Sequence, residues 1–137
     1  MTPELRWLLV TTLFAGSLWM PYIVGVNVTH FEGKNELFVR PPDLNKMKPW
    51  VARSLRAHLN LLEQLLPFGL VVVVGALARV STPVTQLCPM LFLFVRLLHA
   101  AGFISGIARA PIRPMLYLAG WCLMLVHAWQ IFAHAGA

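Results

Sequence analysis

Gly69-Leu-Val-Val-Val-Val-Gly75, set inside the longer run 59–77, is apolar at every position. A strand of a transmembrane β-barrel would place polar residues at alternate positions, and none stands here, so the run reads as a helix in lipid. Three further apolar stretches, 5–28, 84–107 and 115–133, resemble it. Each is near the ~20 residues needed to cross a hydrocarbon core about 30 Å thick. The helix that holds 59–77 starts earlier, near Lys48 or Pro49, because proline is tolerated in a first turn and no breaker follows until Pro67. At ~1.5 Å per residue it is roughly 45 Å long, so its charged first turns project from the bilayer or face inward among other helices. Pro67 predicts a kink. The expected architecture is all-α: an integral membrane four-helix bundle in one domain, with helices over about 5–29, 49–79, 83–107 and 114–134.

Composition agrees, with 58% hydrophobic residues against 12% charged and only five Asp plus Glu in 137 residues. A soluble domain would need roughly a quarter of its residues charged. The net charge of +6 raises the question of nucleic acid. Lys34, Arg40, Lys46, Lys48, Arg53 and Arg56 form one basic stretch and Arg109 and Arg113 another, both beside apolar runs that would bury a nucleic-acid surface. No nucleic-acid partner is expected. Four spans put the first connection, which holds Pro41-Pro42, on the same side as the third, Ala110-Pro-Ile-Arg-Pro114; the short Ser81-Thr82-Pro83 turn lies opposite, with Arg79 and Arg6. The positive-inside rule then directs the basic side to the cytosol.

The N-terminal run follows Arg6 as a signal peptide would, but it continues to about Val28 without a clear cleavage site and reads as a retained helix. Cys88 and Cys122 lie in apolar segments without metal or redox spacing and read as buried, inert thiols. His30, His127 and His134 read as packing or interfacial residues, with no metal-type spacing. Tyr22 and several tryptophans read as interfacial anchors.

The informative residues are the polar ones at membrane depth. At ~100° per residue, Arg53, Arg56, Asn60 and Glu63 fall within about 80° of one another, with Leu59 at the edge and His58 well away. Arg96, His99 and Phe103 share a face of the third helix at spacings of three and four. Intramembrane charges usually pair, so Arg96 with Glu63 is one reading. It leaves Arg53, Arg56, Arg109 and Arg113 short of acids, because only Glu32, Glu36 and Asp43 are otherwise near. Surplus guanidinium groups at this depth suit an anionic ligand.

Val51-Ala-Arg-Ser-Leu-Arg-Ala-His-Leu-Asn-Leu-Leu-Glu63 followed by Pro67-Phe68, then Phe94-Val-Arg-Leu-Leu-His-Ala-Ala-Gly-Phe103, then Arg109-Ala-Pro-Ile-Arg113, resemble in order and spacing the helix segments of the MAPEG family, the membrane-associated proteins in eicosanoid and glutathione metabolism. The likeness covers about residues 39–134. It is nearest to the family's prostaglandin E synthase and glutathione S-transferase members. The resemblance implies a homotrimer with glutathione bound between neighbours near the cytosolic side. It also implies roles: Arg56 for a carboxylate, Asn60 and Glu63 for the γ-glutamyl end, His99 and Tyr117 lining the site. Arg53, Arg96 and Arg109 would support the field or the ligand. Arg113 would activate the thiol, since a guanidinium stabilises thiolate without giving up its own charge. Asp43, after Pro41-Pro42, would join a proton network above Arg113.

Three positions depart from the isomerase members, with Pro114 in place of a serine, Phe103 in place of a tyrosine and Leu59 in place of an arginine. Conjugation of lipophilic electrophiles, or reduction of hydroperoxides, is therefore expected ahead of prostaglandin isomerisation. The competing expectation is a non-catalytic subunit of the same fold that packs against a partner protein. A bacterial inner membrane is slightly favoured over the endoplasmic reticulum, because no basic tail follows His134.

Overall fold

A computed structural model of the chain describes residues 1–29, 43–108 and 110–136. Expectations for His30, Glu32, Lys34, Glu36, Arg40, Pro41-Pro42 and Arg109 therefore lie outside the described residues. The helices are α1 (Pro3–Ser17), α2 (Met20–Val28), α3 (Pro49–Leu77), α4 (Pro83–Ser105) and α5 (Ile112–His134), with a 3-10 turn at Leu44–Lys46 before α3. No strand occurs among the described residues. Four helical segments are long and apolar enough to cross a membrane: Pro3–Val28, Pro49–Leu77, Pro83–Ser105 and Ile112–His134.

The first span departs from the unbroken helix expected, and Pro21 supplies the reason. It has no N–H to donate to the Ser17 carbonyl, and its ring crowds that oxygen. The Leu18 N–H instead turns back to the Ala15 carbonyl at 3.3 Å, and helical bonding resumes with Ile23 N–H on the Trp19 carbonyl at 3.2 Å. Pro67 and Pro89, in contrast, sit inside α3 and α4 without ending them. α5 opens at Ile112, two residues before Pro114. The first N–H groups of a helix have no intrahelical acceptor, so a proline there forfeits no bond.

The short turn between α3 and α4 is closed from both ends. Arg79 adopts a left-handed conformation, φ 57°, while Arg79 N–H bonds the Ala76 carbonyl and Val80 N–H the Gly75 carbonyl. Together these bonds form a Schellman stop. Thr82 then caps α4, its hydroxyl accepting from Thr85 N–H while the Thr85 hydroxyl accepts from Thr82 N–H. α3 and α4 pack on each other and both pack on α1 and α5, and α2 packs on α3. The core between them holds Ala15, Leu18, Ala57, Leu61, Leu65, Phe68, Val72, Phe92, Ala100 and Phe103. Phe68 and Phe92 stack face to face, 4.0 Å between ring centroids and 4° between planes. Elsewhere the helices present apolar side chains outward, Trp129 and Phe132 of α5 among them. That surface is matched to lipid, so helix association here depends on close packing and polar contacts rather than on escape from water.

Candidate functional site

Successive turns of α3 bring Asn60 and Gln64 to the side that faces α4. Across from them Arg96 is almost fully buried, at 1% exposure. Its Nη2 donates to Asn60 Oδ1 and its Nη1 to Gln64 Oε1, each at 2.9 Å. Gln64 passes the connection on, its Nε2 donating to the Tyr117 carbonyl of α5 at 2.9 Å. One guanidinium and one amide thereby join three helices.

The pairing of Arg96 with Glu63 is not what the structure contains. Arg96 is held by two neutral amides, and Glu63 lies on the exposed side of α3 with Arg56. The predicted polar face of Arg53, Arg56, Asn60 and Glu63 extends to Gln64, one turn beyond Asn60. Its spacing of four from Asn60 was the available signal.

Around this network a cavity of about 390 Å3 is lined by Asn60, His99, Ala110, Arg113, Pro114 and Tyr117. Four expected site residues, Asn60, His99, Arg113 and Tyr117, thus meet at one place, contributed by α3, α4 and α5. His99 is buried, and neither its Nδ1 nor Arg96 Nε has a hydrogen-bond partner among the described residues. Arg113 is exposed and lays its guanidinium carbon 4.0 Å from the centroid of the Phe103 ring, a favourable seat for a cation. The phenylalanine at position 103 therefore holds the arginine expected to activate the thiol.

Other expected residues stand apart from the cavity wall. Arg53 donates its Nε to the Ile104 carbonyl at 3.0 Å, at the C-terminal end of α4. There it satisfies a carbonyl that the helix leaves over and meets the negative end of the helix dipole. Its guanidinium also closes over Gly106, the left-handed cap of α4 at φ 81°. Asp43 is exposed, and its Oδ1 accepts from Asn45 N–H at 3.0 Å as the cap of its own 3-10 turn. Cys88 is buried as expected, but Cys122 is exposed on α5, because that helix buries only a narrow stripe including Gly120, His127 and Ile131.

Neither the curated proteins nor the solved structures provide a match to this chain. The model of the MAPEG family matches residues 7–133, nearly the whole chain. With four apolar helices and a polar cluster contributed by three of them, the chain belongs to the MAPEG family.

Proposed function

We propose that the protein is a glutathione-dependent membrane enzyme, a transferase or peroxidase for lipophilic electrophiles or hydroperoxides, acting as a homotrimer with its site toward the cytosol. The family contains glutathione-related membrane enzymes and also non-catalytic members. The observation that carries the catalytic reading is the convergence of Asn60, His99, Arg113 and Tyr117 on one cavity, with buried Arg96 bonded to Asn60 behind it. Asn60, His99, Arg113 and Tyr117 offer the cavity donors and acceptors that suit the carboxylates and amides of a tripeptide. Arg56 and Glu63, exposed on the outer side of α3, supply charges that a neighbouring subunit would enclose with the ligand.

When bound, glutathione supplies a sulfur nucleophile for conjugation or for peroxide reduction. A free thiol with pKa about 8.5 is mostly protonated at neutral pH. Arg113 brings a permanent positive charge to the cavity and so raises the thiolate population. Its position in the first turn of α5 adds the positive end of the helix dipole. Arg56, Asn60 and Glu63 hold the ends of the tripeptide, and the lipid-facing surroundings favour apolar second substrates.

Thiolate absorbance and turnover distinguish binding from activation. Arg113→Leu is expected to keep a folded oligomer and measurable glutathione binding while losing the bound thiolate band. Conjugation should fall at least about tenfold, equivalent to about 1.4 kcal/mol of transition-state stabilisation. Arg113→Lys should recover part of the rate, since a point charge lacks the planar fork. A wild-type rate in Arg113→Leu removes Arg113 from the chemistry. Absence of glutathione binding in the unaltered protein moves it to the family's non-catalytic side.

A further inference from the structure

At the opposite end of the bundle a second polar cavity, about 220 Å3, is lined by Thr2, Glu4, Val72, Ala76, Arg79, Val80, Ser81 and His127. Two of its groups are almost wholly withdrawn from the surface, Glu4 at 4% and His127 at 1% exposure. Glu4 Oε1 accepts from the Ser81 hydroxyl at 2.7 Å and from the Thr85 hydroxyl at 3.0 Å. Its other oxygen, Oε2, has no hydrogen-bond partner among the described residues, and neither has His127 Nδ1. A buried polar atom without a partner costs about 1–3 kcal/mol, more if charged, and the cost is greatest where lipid excludes water. Glu4 and His127 both line one space, and Arg79 lies exposed in the wall of that space.

The chemistry of the wall selects among occupants. Oε2 of a carboxylate accepts and needs a donor. A metal ion would want more ligands than one carboxylate and one imidazole, and no group of three or more His, Cys, Asp or Glu is placed to hold one among the described residues. A quaternary ammonium has no N–H to offer. A primary ammonium has three, enough for Glu4 Oε2, for an imidazole nitrogen and for a hydroxyl of Ser81 or Thr2. Arg79 then matches an anion a few bonds away, so a carboxylate and a guanidinium face a molecule with the opposite two poles.

We propose that this cavity binds the phosphoethanolamine headgroup of a lipid in the leaflet opposite the glutathione site, ammonium on Glu4 and His127, phosphate on Arg79. The lipid source follows from position. The cavity opens beside the turn that ends one membrane span and begins the next, and its remaining walls, Val72, Ala76 and Val80, are apolar. The site is independent of the proposed catalytic reading and would serve equally in a non-catalytic subunit.

Native mass spectrometry of the full chain, released from detergent with equal amounts of phosphatidylethanolamine and phosphatidylcholine of identical acyl chains, tests this directly. The ethanolamine lipid should be retained at least about tenfold over the choline lipid, the ratio expected from one charge-assisted hydrogen bond. Glu4→Gln should bring that ratio near one; it keeps an acceptor oxygen for Ser81 and Thr85, so α1 stays docked. Arg79→Gln should weaken retention of both lipids, and Ala76→Phe should exclude both by filling the cavity with Glu4 intact. Equal retention in the unaltered protein, as a cavity holding only water would give, overturns the proposal. So does an ethanolamine preference that survives both Glu4→Gln and Ala76→Phe. Free phosphoethanolamine binding as tightly as the lipid would overturn the lipid source.

Discussion

Gln64 carries more structure than its place in the sequence suggests. It links the Arg96 guanidinium to the backbone of α5, and Gly120 leaves the room it occupies. A Cβ at position 120 would stand 2.5 Å from Gln64 Oε1 and 3.4 Å from the Phe92 ring. The amide is tied at both ends, so it cannot swing aside without leaving a buried guanidinium donor or a carbonyl unpaired. Gly120→Ala is therefore expected to cost about 1–3 kcal/mol, and Gln64→Leu about 3 kcal/mol, the larger loss because a buried charge is stripped of an acceptor. Thermal unfolding in detergent should rank the two variants below a surface change such as Trp129→Leu. An unaltered midpoint for Gln64→Leu would mean that Arg96 finds another acceptor. The sequence offered Asn60, His99, Arg113 and Tyr117 as site residues because their types and family spacing marked them. Gln64 is harder to read despite its spacing of four from Asn60, because an amide between Glu63 and Leu65 carries no charge, and one of its two partners is a backbone carbonyl, which no side-chain motif records.

At the scale of elements, the four spans were legible from apolar length alone, and the start of α3 from Pro49. What that reading lacked was the division of the first span. Apolar length alone does not mark Pro21, because a proline in the interior of a span has a local effect that depends on whether neighbours hold the helix through it. Pro67 and Pro89 are braced inside long helices; Pro21 is not, and α2 follows as a separate segment laid on α3. Gly25 permits that contact, since a Cβ there would fall 2.5 Å from Val51 Cγ2 and 2.8 Å from the Trp50 ring. Gly25→Ala should push α2 away from α3 and destabilise the protein by about 1–3 kcal/mol. Protease accessibility of the region near Thr29 should rise with it. A fully wild-type unfolding curve would show that α2 slides at no cost.

The whole molecule has charges on its outer surface that lipid alone does not accommodate. Arg56 and Glu63 are exposed on α3, and the proposed trimer would enclose them. Mass measured by light scattering in mild detergent, corrected for bound detergent, should correspond to three chains. A monomer that binds glutathione as tightly as the assembled protein would remove the need for a shared site. Along the inner stripe of α3 the character changes turn by turn, from Asn60 and Gln64 through Phe68 and Val72 to Ala76, over roughly 24 Å. The stripe therefore runs from one polar cavity to the other, and the stacked Phe68–Phe92 pair stands between them. Such an arrangement gives those two core rings a consequence beyond stability. A cell that stores energy as an electrochemical gradient loses it through any continuous file of water across the bilayer, and a protein hollowed from both ends approaches that condition. The aromatic pair is expected to interrupt such a file. Proteoliposomes holding the Phe68→Ser, Phe92→Ser double variant should collapse an imposed pH difference faster than those holding the unaltered protein, as read by a trapped pH-sensitive dye. Equal decay would assign the barrier to other layers of the bundle.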